Sequence, residues 1–190
     1  MLRHLAKFRK ATGGLAAIEF AFIAPVLVVF LLGSVEISNA LECRQKVTSL
    51  ASSAADLVAQ TASVSSSDLS NIFNAVTDIM YPFTGTTSIV ITSVMSDGNG
   101  GGTVAWSKAQ NGTALTVGSA VTLNQPIMST CNTSATSSCT PCAKNACSVI
   151  MAQISYSYVS PIGKFFVGSV PITDSFFARP RKSTSVSYTG

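Results

Sequence analysis

Residues 13–33 read GGLAAIEFAFIAPVLVVFLLG. Almost every position suits the interior of a bilayer. Yet Glu19 sits five residues into the apolar run, and Pro25 follows. From Leu15 to Val35 the run is 21 residues long. As an α-helix it rises about 31 Å, roughly the thickness of the hydrocarbon core. No second run of comparable length occurs, so a single pass is expected. Arg3, Lys7, Arg9 and Lys10 precede it, with no acid among residues 1–14. The positive-inside tendency then keeps the N-terminus in the cytoplasm and sends residues 36–190 outside.

The whole chain fits that plan. Its 190 residues suffice for one modest domain plus an anchor, and only 11% are charged against 47% hydrophobic. A disordered tail needs the opposite balance. The chain has 12 Lys and Arg against 8 Asp and Glu. Four of the basic residues lie in the leader, so the remaining eight balance the eight acids. A nucleic-acid reader would carry its basic excess on the folded domain, and no nucleic-acid partner is expected.

Glu19 needs an account. A secretory signal peptide would be cut after Ser38-Asn39-Ala40, and a plain anchor would not be cut at all. Neither gives a carboxylate in lipid a role. Such a group costs up to about 2.5–3.5 kcal/mol at mid-membrane and is a functional candidate by default. A cut between Gly14 and Leu15 makes Glu19 the fifth residue of the mature chain. It also creates an α-amino group with a pKa near 8 at the end of an apolar helix. When such helices pack with an axial stagger, Glu19 of one subunit meets the amino terminus of another. The two desolvated charges neutralise each other and set the register. Cutting after Gly13 would put Glu19 at the sixth position, so Gly14 is preferred. Pro25 lacks an N–H and loosens the helix one turn upstream. It is either merely tolerated, as in many membrane helices, or a bend that helps the helix leave the bilayer or fit a filament.

The short basic leader, Gly14, the apolar stretch, Glu19 and Phe20 together resemble the class III signal of type IV pilins and pseudopilins. Within that class, GGLAAIEFAFIAPVLVVFLLGSVEISNA resembles the TadE-like proteins of the tight-adherence (Tad) pilus system, with Glu36 matching a second acid at the end of the run. The resemblance covers residues 3–42. It implies that this chain is a substrate of prepilin peptidase, with Gly14 and Leu15 flanking the scissile bond and Glu19 and Phe20 completing the signal. A looser echo follows in a D-G-x-G turn, a V-x-W strand, S-Y-x-Y and a late A-R-P-R.

Beyond Glu36, Leu41, Val47, Leu50, Leu57 and Val58 recur at roughly helical spacing. One helix from about Leu15 to Gln60 is predicted, about 70 Å long. Ser65-Ser66-Ser67-Asp68 supplies an N-cap for a second helix with Leu69, Ile72, Phe73, Val76, Ile79 and Met80 on one face, ending before Pro82. Ser88–Ser96 and Thr103–Ser107, joined by Asp97-Gly98-Asn99-Gly100-Gly101-Gly102, read as a hairpin. Ala120–Leu123 reads as a short strand, Val149–Val159 as a central one, and Ser169–Ala178 as the last, with Pro171 marking an edge. The tail after Arg179-Pro180-Arg181 reads as frayed.

Little chemistry stands out. The single histidine, His4, lies in the leader, which removes Ser-His-Asp, Cys-His and HExxH systems from a processed chain. Gly98–Gly102 lacks the lysine and helix of a phosphate loop. Asp97 and Asn99 suit a turn better than calcium. Cys131, Cys139, Cys142 and Cys147 fall within 17 residues. In an extracytoplasmic, Ser/Thr-rich loop they read as two disulfides, with three connectivities open. A four-cysteine zinc site would want two short knuckles, and a Cys139-x-x-Cys142 redox pair would want a following helix. Cys43 is left over, either as a buried or idle thiol or as an inter-subunit bridge.

The expected fold is α+β and pilin-like. A long N-terminal helix packs its outer half on a small antiparallel sheet with a cysteine-rich loop. The expected organisation is a leader at 1–14, a membrane helix at 15–35 and an extracytoplasmic domain at 36–190. The expected function is a non-enzymatic minor pseudopilin without cofactors in the inner membrane. Its partners would be lipid, prepilin peptidase, pilin or pseudopilin subunits and the pilus assembly machinery. The rivals are a secreted, disulfide-stapled binding or adhesive domain and an envelope redox enzyme.

Overall fold

The computed structural model describes residues 14–123, 127–131, 139–160 and 168–190. The leader residues Arg3, Lys7, Arg9 and Lys10, and Gly13, lie outside them. The fold is α+β. Helix α1 (Gly14–Ala59) runs 46 residues through Pro25. Strand β1 (Ser63–Val64), helix α2 (Ser66–Thr77) and a short 3₁₀ turn (Asp78–Met80) follow. Then come β2 (Thr87–Ser96), β3 (Gly102–Gln110), β4 (Ala120–Val121), β5 (Met128–Cys131), β6 (Cys139–Pro141), β7 (Ser148–Val159), β8 (Ser169–Ala178) and β9 (Ser187–Tyr188).

The two halves of α1 have different surroundings. Large apolar side chains from Ile18 to Val35 are exposed, Phe22 by 74% and Phe30 by 72%. Farther along, Cys43, Val47, Leu50, Ala51, Ala54, Ala55, Val58 and Ala59 are fully buried. Their spacing by threes and fours makes one stripe on a helix. The predicted stripe needs correction. Leu41 and Leu57 are exposed, by 55% and 39%, because at 3.6 residues per turn they fall to either side of it. Four alanines do the packing that a reading weighted to large residues gives to leucine.

This stripe lies on one face of a five-stranded antiparallel sheet ordered β4-β3-β2-β7-β8, against Ile89, Ile91, Ile150, Ala152, Ile154, Tyr156 and Tyr158. A capping box starts α2. Ser65 Oγ accepts from Asp68 N at 3.2 Å, and Asp68 Oδ2 accepts from Ser65 N at 2.9 Å. Leu69, Phe73 and Val76 close the core from that side. The β2–β3 hairpin turns as expected. Asp97 Oδ1 accepts from Asn99 N at 2.7 Å and Gly101 N at 3.0 Å. Gly98 and Gly100 take φ of 92° and 91°, which L side chains rarely adopt. Asp97 thus serves the turn.

Strand β7 alternates buried and exposed from Gln153 outward, but Ser148–Ala152 is buried on both faces. Here a second cluster of Val94, Ile127, Cys142, Val149 and Met151 covers the face away from α1. Strand β8 is an edge, in keeping with Pro171. It is not the last strand, and the tail is not frayed. Arg181 N donates to Ala59 O at 2.8 Å at the end of α1. Strand β9 pairs in parallel with β1. Val186 is buried, and its carbonyl accepts from Trp106 Nε1 at 2.7 Å. Arg181 also pairs with Asp56. The short, polar tail carries too little apolar periodicity to signal this, since backbone groups do most of the fastening.

Candidate assembly site

The exposed half of α1 is the first functional feature. It is long and apolar enough to cross a membrane, and its most apolar stretch is wholly unburied. Glu19 lies on it, exposed, and nothing among the described residues pairs with it. Gly14 opens the helix, with Leu15 next and Glu19 and Phe20 just over one turn on. Phe20 is 66% exposed. Pro25 is also exposed. With no N–H there, the carbonyl one turn back lacks its helical donor.

The second feature is Glu36, where the apolar run ends. Its carboxylate accepts from Tyr158 OH at 3.3 Å and from the Ser160 hydroxyl. Tyr158 is buried and packs edge-to-face on Phe83, ring centroids 6.0 Å apart. Burial, then the charge of Glu36, pushes its phenol above the ordinary range. This pairing ties the end of β7 to the helix. Neither Tyr158 nor Ser160 stands out as a partner in the sequence, because 122 and 124 residues separate them from Glu36. Higher along α1, Thr48 donates to Asp174 of β8, so strand and helix run alongside each other.

The cysteines separate into three cases. Cys142 and Cys147 form a disulfide, Cα atoms 5.9 Å apart. It lies beside the second cluster, anchored where Ser96 Oγ donates to Cys142 O at 2.8 Å and Ser96 N to Cys147 O at 2.9 Å. Cys142 is therefore paired with Cys147 and not with Cys139, which dismisses both the redox pair and the four-cysteine zinc site. Cys131 and Cys139 are backbone partners across the β5–β6 ladder; their side chains lie outside the described residues. Cys43 is fully buried. Burial, then nearby Glu42, raises its thiol pKa, so the inter-subunit bridge gives way to the buried thiol.

A groove of about 680 Å³ between α1 and β8 is lined by Ser52, Ser53, Asp56, Phe176, Ala178 and Arg181 among others. The Asp56–Arg181 pair lies in it, and Ser52 Oγ donates to Ser49 O at 2.9 Å. Among the described residues no three His, Cys, Asp or Glu side chains gather to hold a metal.

Residues 14–56, nearly the whole of α1, match the family model of the TadE-like proteins. No curated protein and no solved structure matches the chain. By the helix that carries Glu19, Pro25 and Glu36, the chain is similar to the TadE-like proteins, which is consistent with a place in the Tad pilus system.

Proposed function

We propose that this protein is a minor pseudopilin-like subunit that helps start or support a Tad-type pilus, working by assembly and not catalysis. The leader holds the N-terminus in the cytoplasm, residues 15–35 cross the inner membrane, and residues 36–190 form the extracytoplasmic domain. Prepilin peptidase cuts between Gly14 and Leu15. Glu19 then pairs with the new amino terminus of a neighbouring subunit. Pro25 loosens the helix where it packs among others.

The observation that carries this reading is Glu19. It is a carboxylate on an unburied apolar helix, five residues past Gly14, without a partner among the described residues, in the stretch that matches the family. A charge so placed in lipid calls for a partner from outside.

Mass spectrometry of the N-terminal peptide of the protein isolated from cells tests it. A mature chain beginning at Leu15 is expected. A start at Leu41 would mean that the helix is discarded as a signal peptide, leaving a secreted stapled domain. A start at Met1 would refute processing.

A further inference from the structure

We infer that the outer edge of β8 is a strand-pairing surface held shut by Asp174, and that the partner it shuts out is the β8 edge of a second copy of this chain. The sheet order β4-β3-β2-β7-β8 leaves β8 with no strand on its outer side. The opposite edge is blunted by β4, which is only two residues long. Strand β8 runs ten residues, and an edge of that length is a template for another chain. In an antiparallel pair, residues that bond to the neighbouring strand alternate with residues that do not. Pro171, opposite Ser157, has no N–H to give to β7. That puts the odd-numbered residues of β8 on the outward side, with the N–H groups of Ser169, Thr173, Ser175 and Phe177. In keeping with this, Ser175 N donates to Asp174 Oδ1 at 2.8 Å. The other oxygen, Oδ2, accepts from Thr48 Oγ1 of α1, which holds the carboxylate in place.

The occupant follows from where the capped amide lies. Ser175 is the middle of Thr173, Ser175 and Phe177, the longest run of outward positions without proline. A two-fold axis at Ser175 would pair it with its own copy, and Thr173 with Phe177 of the other chain. Each pair would exchange N–H and C=O groups, a self-complementary contact. That contact needs Ser175 N free, and Asp174 takes this donor in both copies. One side chain thus closes the contact at its centre. The direction of β8 shows what the contact would do. Tyr158, the cross-strand partner of Val170, bonds to Glu36, Thr48 bonds to Asp174, and Arg181 N bonds to Ala59 O. Strand and helix therefore run the same way. Antiparallel pairing of two β8 edges would turn the two α1 helices in opposite directions. On the reading of α1 as a membrane helix of one orientation, such a dimer does not fit one bilayer. Asp174 keeps neighbouring subunits out of that pairing.

Amide exchange of the full chain in micelles, followed by NMR at several protein concentrations and paired with sedimentation, tests the inference. In the wild type the Ser175 amide should be at least about tenfold better protected than that of Thr173, the factor a bond to a charged acceptor supplies. At low concentration Asp174→Ala should abolish the difference. As concentration rises, its Thr173, Ser175 and Phe177 amides should gain protection together, and dimers should form beyond any that the wild type makes through α1. Asp174→Asn keeps an oxygen that accepts from both donors and should behave as the wild type. Thr48→Val changes an exposed position and should give part of the Asp174→Ala effect, which keeps the test open if the alanine variant does not fold. No change in Thr48→Val would refute its hold on the carboxylate. A wild-type Ser175 amide as poorly protected as Thr173 would overturn the closed edge, and so would a folded Asp174→Ala chain that never pairs. Asp174→Asn pairing as readily as Asp174→Ala would assign closure to charge repulsion and refute the role of the bond. These readouts do not depend on how α1 sits in a membrane, so their failure leaves the pilus reading standing, and a start at Leu41 would remove that reading without reopening the edge.

Discussion

Trp106→Phe tests whether the C-terminal tail is a built part of the domain. The indole N–H is the donor to the Val186 carbonyl, at 2.7 Å in a residue 2% exposed. Phenylalanine keeps an aromatic ring beside Tyr188 but leaves that carbonyl unpaired. A buried acceptor without its donor costs about 1–3 kcal/mol. The cost falls on the closed tail, so it favours local opening more than global unfolding. At about 2 kcal/mol, with tenfold for every 1.4 kcal/mol, tail amides should exchange about 30-fold faster. The reporting amides are Ser187 N, bonded to Ala62 O at 3.2 Å, and Thr189 N, bonded to Val64 O at 2.9 Å. Hydrogen exchange read by mass spectrometry on the full chain in micelles would compare them with central amides of β2 and β7. The expected result is acceleration confined to the tail and β1. Tail amides that already exchange freely in the wild type would refute the fastening. Equal acceleration in β2 and β7 would refute local opening.

Peptide mapping without reduction should recover Cys142 joined to Cys147, with Cys131 joined to Cys139, their backbone partner across β5–β6. Replacing Cys142 and Cys147 by serine should cost about 2 kcal/mol from the entropy of so short a loop, read as a lower thermal midpoint. Cys43 should resist maleimide in the folded chain and react on denaturation. Burial raises the pKa of Cys43, Tyr156 and Tyr158. The folded chain then keeps protons that the unfolded chain has lost, so stability present at neutral pH falls as pH rises past the ordinary values. Thermal midpoints should drop from about pH 9, the ordinary thiol range, and Cys43→Ala should delay the onset toward the tyrosine range near 10. Glu19→Gln should leave the folded domain and its disulfides unchanged while reducing co-purification of other pilus subunits; undiminished recovery would refute the pairing role.

The local elements were legible because each depends on neighbours in sequence. The length of α1, the capping box at Ser65 and Asp68 and the Asp97–Gly102 turn all arise from groups within a few residues of one another. So does the oddity of Glu19, since an acid in an apolar run declares itself without a fold. The sequence by itself therefore determined a long helix able to cross a membrane, an antiparallel domain behind it and a carboxylate, Glu19, set within the apolar run. Which helix face turns inward was not legible from large residues alone, because Leu41 and Leu57 are as apolar as the alanines that the sheet selected. Only the tertiary structure decided that Cys43 is sealed in the core, that Cys142 takes Cys147, that Tyr158 and Ser160 close on Glu36 and that the tail is fastened. Those choices rest on contacts between distant residues or on backbone hydrogen bonds that any side chain permits. Neither leaves a period or a motif in the sequence.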